Sequence, residues 1–82
     1  MFKNRTESGR NNLVGENIKR HRLMLKDAPS QRKFAEMLQM SGLDIDKNAI
    51  QRIEAGIRFV TDIELKVIVE VLDITYEDLL NS

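Results

Sequence analysis

Few side chains in this 82-residue sequence are suited to covalent chemistry. There is no Cys and a single His, His21, set among Lys19, Arg20 and Arg22. A metal site needs several ligands and acid–base catalysis needs a positioned partner; neither pattern accompanies His21. The four glycines, Gly9, Gly15, Gly42 and Gly56, are scattered and form no phosphate-cradling loop. An enzyme is the weakest reading, and no metal, cofactor or small-molecule ligand is evident. His21 is expected at the surface, within reach of a phosphate.

Ionic chemistry remains. The sequence has 13 Lys+Arg and 13 Asp+Glu, a formal net charge of zero. Laid along the chain, that balance breaks. Residues 1–12 carry three positive charges and one negative, residues 13–35 six and two, residues 36–60 three and four, and residues 61–82 one and six. The first 60 residues are therefore +5 and the last 22 are −5. A basic part of this kind suits a polyanion, although charge runs are also the ordinary solvated faces of helices. RNA is disfavoured, since stacking platforms use clustered aromatics and only Phe2, Phe34, Phe59 and Tyr76 are present.

The elements that must position these charges are helical. At this length one domain with a small core is expected. No apolar stretch approaches the roughly 20 residues that span a bilayer. No apolar signal core follows Met1-Phe2-Lys3, so the expected location is cytoplasmic. Residues 1–12 are polar and aperiodic and read as a flexible tail; the domain is expected over 13–82. From Leu13 the spacing turns helical, through Val14, Ile18, Leu23 and Leu25, and Asp27-Ala28-Pro29 closes that helix. Ser30 is placed to cap a second helix, QRKFAEML, and Asp46 a third, KNAIQRIEA, which Gly56 ends. Thr61 and Glu64 match a capping box opening a fourth helix, with Leu65, Ile68, Val69 and Leu72 on one side. Its β-branched run KVIVEVLDI makes a strand the competing reading. Thr75 caps a last short helix, YEDLL. Phe34, Ile50, Ile53, Leu65, Ile68, Leu72 and Leu79 are the expected core.

Helices two and three, short, consecutive and joined by a Gly-containing turn, have the helix-turn-helix outline. In order and spacing, VGENIKRHR (14–22), PSQRKFAEML (29–38), NAIQRIEAG (48–56) and ELKVIVEVLDITYEDLL (64–80) resemble the Cro/cI-type (Xre-like) DNA-binding domains of phage repressors and bacterial regulators. The resemblance covers Val14 to Leu80 and implies an all-α, five-helix, lambda-repressor-like domain. One departure is a lengthened turn: about five surplus residues fall in MSGLDID (40–46), which puts the angle between helices two and three, and the base register, in question.

The resemblance also implies roles. Lys47 and Asn48, in the exposed first turn of helix three, and Gln51 and Arg52, one turn on, would contact bases in the major groove. Their types suit base edges, since Arg or Lys donates to guanine O6 and N7, and Asn or Gln pairs with adenine. Ser30, Gln31, Arg32 and Arg58 would contact phosphate, with Gln31 the family's usual backbone clamp, and Lys33 is a weaker candidate. Arg22 and Glu54 would form an ion pair bracing helices one and three. A solvated helix face is the competing reading for the base-contact set.

On helix four, Ile63, Val67 and Val71 form a second apolar stripe at i, i+4, i+8. One small domain has difficulty burying two faces of a helix, so the stripe is a candidate dimer interface, which Ile57, Phe59 and Val60 could join. A wide core-facing surface is the alternative. The functional expectation is a sequence-specific, double-stranded DNA-binding transcriptional regulator, repressor-like and homodimeric. An antitoxin or protein-interaction module using the same fold is the alternative, because fold alone does not settle function.

Overall fold

The structure, a computed structural model, describes residues 9–81; residues 1–8 of the expected tail and Ser82 lie outside the described residues. Five helices follow one another, α1 (Gly15–Met24), α2 (Gln31–Met40), α3 (Lys47–Glu54), α4 (Asp62–Leu72) and α5 (Tyr76–Leu80), and no strand occurs among the described residues. The protein is all-α.

Short side chains start four of the five helices. Ser30 Oγ accepts from the Lys33 N–H at 3.0 Å and Asp46 Oδ1 from the Ala49 N–H at 2.8 Å. Thr61 with Glu64 and Thr75 with Asp78 form reciprocal capping boxes at α4 and α5. Each such cap contributes about 1 kcal/mol by satisfying a backbone donor that the helix leaves free. The strand alternative for KVIVEVLDI gives way to the Thr61 cap and to the helical spacing, which buries Ile68, Val69 and Leu72 together. Gly56, at φ 80°, supplies the left-handed residue beyond α3.

α1 starts differently. Val14 precedes it without a side-chain cap, and Asn12 Oδ1 accepts the Gly15 N–H at 2.8 Å instead. The boundary of the expected tail therefore moves. Asn12 is buried, Arg10 and Asn11 are half-buried, and their hydrogen bonds tie residues 10–12 to the turn after α3. A run of Arg and Asn with no apolar periodicity reads as a tail because its partners, backbone carbonyls more than 40 positions away, carry no sequence signal.

α2 packs on α3 and α4, α1 on α3, and α5 closes against α1 and α4. The core comprises Val14, Ile18, Phe34, Ala35, Leu38, Ile45, Ile50, Ile53, Ile68, Val69, Leu72 and Leu79, with Leu65 half-buried against it. Burying each of the larger side chains contributes about 1.5–3 kcal/mol. The lengthened connection between α2 and α3 is part of this packing. Ile45 is buried, Leu43 lies against the core, and Gln39 Nε2 donates to the Ile45 carbonyl at 2.7 Å. The extra residues thus hold the chain just ahead of the Asp46 cap in a set place.

The second stripe of α4 divides between its two readings. Val67 and Val71 pack against the core, and only Ile63, 70% exposed, stands clear of it. Ile57 and Phe59, both more than half exposed, form the rest of the uncovered apolar surface near the start of α4.

α1 approaches α3 end-on through Gly15. A Cβ there would overlap the Ile53 carbonyl and crowd the Arg10 and Asn12 side chains. Because the obstacle is backbone, relief requires moving a helix. Gly15→Ala is expected to cost about 1–3 kcal/mol, lowering the thermal midpoint by roughly 5–20 °C at this size. A circular-dichroism melt checks this; an unchanged midpoint would show that α1 and α3 are not in this close contact.

Candidate nucleic-acid interface

Glu54, the last residue of α3, is buried, and its carboxylate gathers three elements. Arg22 of α1 donates from Nε to Oε2 at 2.8 Å and from Nη2 to Oε1 at 3.0 Å. Gln31 of α2 donates from Nε2 to Oε1 at 2.9 Å. Arg22 Nη1 also holds the Pro29 carbonyl at 2.7 Å, fixing the approach to α2. The ion-pair side chains are 6% and 3% exposed, so each charge depends on the other.

With its inner face fixed, α3 turns Lys47, Asn48, Gln51, Arg52 and Ala55 to solvent. Ile50, Ile53 and Glu54 are buried, so Gln51 and Arg52 between them, with Asn48 one turn earlier, face out, while Lys47 is exposed because it opens the helix. Asn48, Gln51, Arg52, Ala55 and Ile57 line one concavity on this side. A neighbouring one, bounded by Arg32, Ala35, Glu36, Gln39 and Lys47, lies between α2 and α3. Arg32 and Lys33 are largely exposed, with only 3.9–4.0 Å contacts to Glu36. The surface thus combines exposed cations with amide groups that both donate and accept. That chemistry fits phosphates and base edges.

The other phosphate candidates divide. Ser30 is exposed, but its hydroxyl is committed to capping α2. The Gln31 amide is directed at Glu54, which occupies one of its two N–H donors. Arg58 is already paired within the domain. Its guanidinium grips Glu64 at 2.7 and 3.0 Å and donates to the Phe59 carbonyl at 3.0 Å. Glu64 was legible as a helix cap; its second role was not, since the pairing depends on how the 57–60 loop folds back. His21 also departs from expectation. It is half-buried against α5, in a groove lined by Arg20, Met24, Glu77, Asp78 and Asn81, with Nε2 enclosed and unpartnered. Among the described residues, no group of three or more His, Cys, Asp or Glu could hold a metal ion.

Arg58 holds the Glu64 carboxyl below the usual range, and the Thr61 N–H acts in the same direction. Glu64 reciprocally raises the Arg58 pKa. The Thr75 N–H lowers Asp78. No family model matches this chain, and no curated protein or solved structure does so either.

Two expectations follow from these ion pairs. Glu54→Ala should destabilise the fold by about 3–5 kcal/mol by leaving Arg22 buried and unpaired. Arg22→Met combined with Glu54→Leu should recover part of that loss in chemical denaturation; additive losses would mean the pair is not coupled. For Glu64, the folded-state pKa is depressed, so its contribution is complete above the ordinary glutamate value of about 4.3. It is lost as pH falls through the lower folded value. Stability measured from about pH 6 to pH 3 should therefore fall less steeply in Glu64→Gln than in wild type. Equal slopes would remove Glu64 from the acid response.

Proposed function

We propose that this protein is a sequence-specific, double-stranded DNA-binding transcriptional regulator of the Cro/cI (Xre-like) type, with α2 and α3 as its helix-turn-helix. The observation that carries the reading is α3 itself. Its inner end is locked by the buried Arg22–Glu54 pair, while Lys47, Asn48, Gln51 and Arg52 all face outward. A helix held this firmly by one face and bearing base-compatible side chains on the other suits insertion into a major groove.

Arg32 and Lys33, at the start of α2, supply exposed phosphate-facing charge, with the Ser30 and Gln31 backbone beside them. Arg58 is left out of that set because Glu64 neutralises it. Zero net charge is compatible with a polyanion ligand, since the acidic residues concentrate in α4 and α5. The exposed Ile57, Phe59 and Ile63 favour a protein partner as well, which we take to be a second copy. A homodimer would read half-sites about 34–36 Å apart. The same patch also supports the second reading, an antitoxin or interaction module whose partner is another protein. The cytoplasm is the compartment where a regulator of this kind acts.

A band shift with random duplex at low salt separates the two readings, and a pure interaction module gives no retarded band. Selection of bound sequences from a random duplex pool then identifies the site. Arg52→Ala should weaken binding to the selected sequence by about 1–3 kcal/mol and relax preference at one base pair. Equal loss on selected and random DNA would remove Arg52 from base reading.

A further inference from the structure

The tripeptide Arg10-Asn11-Asn12 makes five hydrogen bonds to the backbone of residues 53–58. Asn12 Nδ2 donates to the Ile53 carbonyl at 3.0 Å and the Arg58 carbonyl at 2.8 Å. Arg10 Nη2 donates to the Glu54 carbonyl at 2.8 Å. The Asn11 N–H reaches the Gly56 carbonyl at 2.8 Å and Asn11 Nδ2 the Ile57 carbonyl at 2.8 Å.

These acceptors are a particular set. The last four carbonyls of a helix have no partner within it. In α3 those of Gln51 and Arg52 are met by the N–H groups of Ala55, Ile57 and Arg58. Glu54 depends on Arg10, and Ile53 shares Asn12 with the Gly56 N–H. The Arg10 charge also sits at the negative end of the helix, where a cation is favoured. Its guanidinium lies against Gly56, filling the space where a Cβ there would stand, and crowds the place of a Cβ on Gly15 beside the Ile53 carbonyl.

Asn12 does more than cap. Its Oδ1 accepts from the first N–H of α1 while its Nδ2 serves the last turn of α3. One buried carboxamide therefore joins the positive end of one helix to the negative end of another. We propose that residues 10–12 act as a strap, and that Asn12 is a positioning residue for DNA reading although it lies away from the base-facing side chains. This rests on the proposed role of α3. With eight residues, α3 is about 12 Å long. Movement at its C-terminal end is passed to Arg52 and Gln51 almost undiminished, whereas productive contacts need placement within about 0.5 Å. The strap also holds the carbonyls of Ile57 and Arg58, so it keeps the exposed apolar loop and α3 in one rigid piece. The phosphate-facing cations of α2 are not attached to it.

The test uses the full chain with Asn12→Asp, Asn12→Ala and Asn11→Ala. Asn12→Asp keeps the acceptor for Gly15 and loses the donor to Ile53 and Arg58. It therefore separates capping of α1 from strapping of α3. Affinity is measured for a duplex selected by the wild type and for a random duplex of equal length, at several salt concentrations. The selected-to-random ratio should fall about tenfold for Asn12→Asp and Asn12→Ala, and several-fold for Asn11→Ala, with the salt slope unchanged. A wild-type ratio in Asn12→Asp would overturn the strap. Should both Asn12 variants fail to fold, the half-exposed Asn11→Ala decides by the same ratio. Hydrogen exchange without DNA gives an independent arm: the Gly56 and Ile57 amides should exchange about tenfold faster in the variants. Unchanged protection overturns the strap whatever the protein binds. Faster exchange in the variants, with a wild type that does not discriminate between duplexes, overturns the DNA reading and leaves the strap standing.

Discussion

The carboxylate of Glu54 is the constraint on which the rest of the molecule is arranged. A buried charge is tolerated only when paired and hydrogen-bonded. Satisfying this one requires α1, through Arg22, and α2, through Gln31, to converge on the last residue of α3. Arg22 in turn takes the Pro29 carbonyl and settles how the chain enters α2. Both helices beneath the outward face of α3 are thus referenced to the same two oxygens. Such an arrangement defines orientation more than it adds stability, because desolvation offsets much of the Coulombic gain.

The backbone of that same residue is the second meeting point. Arg10 covers the Glu54 carbonyl and Asn12 the carbonyl before it, while Gly15 lets α1 approach without a side chain in the way. Side-chain and main-chain ends of α3 are therefore both occupied from within the domain. None of these groups is available to an external ligand. The opposite holds on the outer face, where Lys47, Gln51 and Arg52 are exposed and Arg52 has only a long 3.4 Å contact to the Asn48 carbonyl. The outer face of α3 thus presents exposed polar side chains on a rigid base.

Charge follows the same division. The positive excess of residues 1–35 and the negative excess of residues 61–82 cancel in the total. In the fold, Arg32 stands beside Lys47 of α3, whereas Glu77 and Asp78 lie in α5 against the end of α1. Counting charge by segment anticipated that polarity, but it could not sort cations by availability. Arg58 and Arg52 are equal in the sequence; Glu64 neutralises the first and leaves the second exposed.

Helix starts and the buried stripes were legible in the sequence, because each depends on residues three or four positions apart. Ser30, Asp46, Thr61 and Thr75 cap the helices they were expected to cap. Phe34, Ile50, Ile53, Ile68, Leu72 and Leu79 are buried as the periodicity required. The Arg22–Glu54 pair came through family resemblance, since nothing local links two residues 32 apart. The strap, the turning-in of Arg58 and the half-burial of His21 were not legible, and the sequence left open whether Val67 and Val71 face the core. In each case the partner comes from another helix or a loop, and the strap's side chain-to-carbonyl bonds place no demand on the partner's identity. The sequence by itself determined the five helices, their caps, their inner faces and the segregation of charge, because those are short-range consequences of residue type. Tertiary structure alone decided which polar groups are spent on holding the domain together and which are left exposed, because that depends on where distant backbone comes to rest.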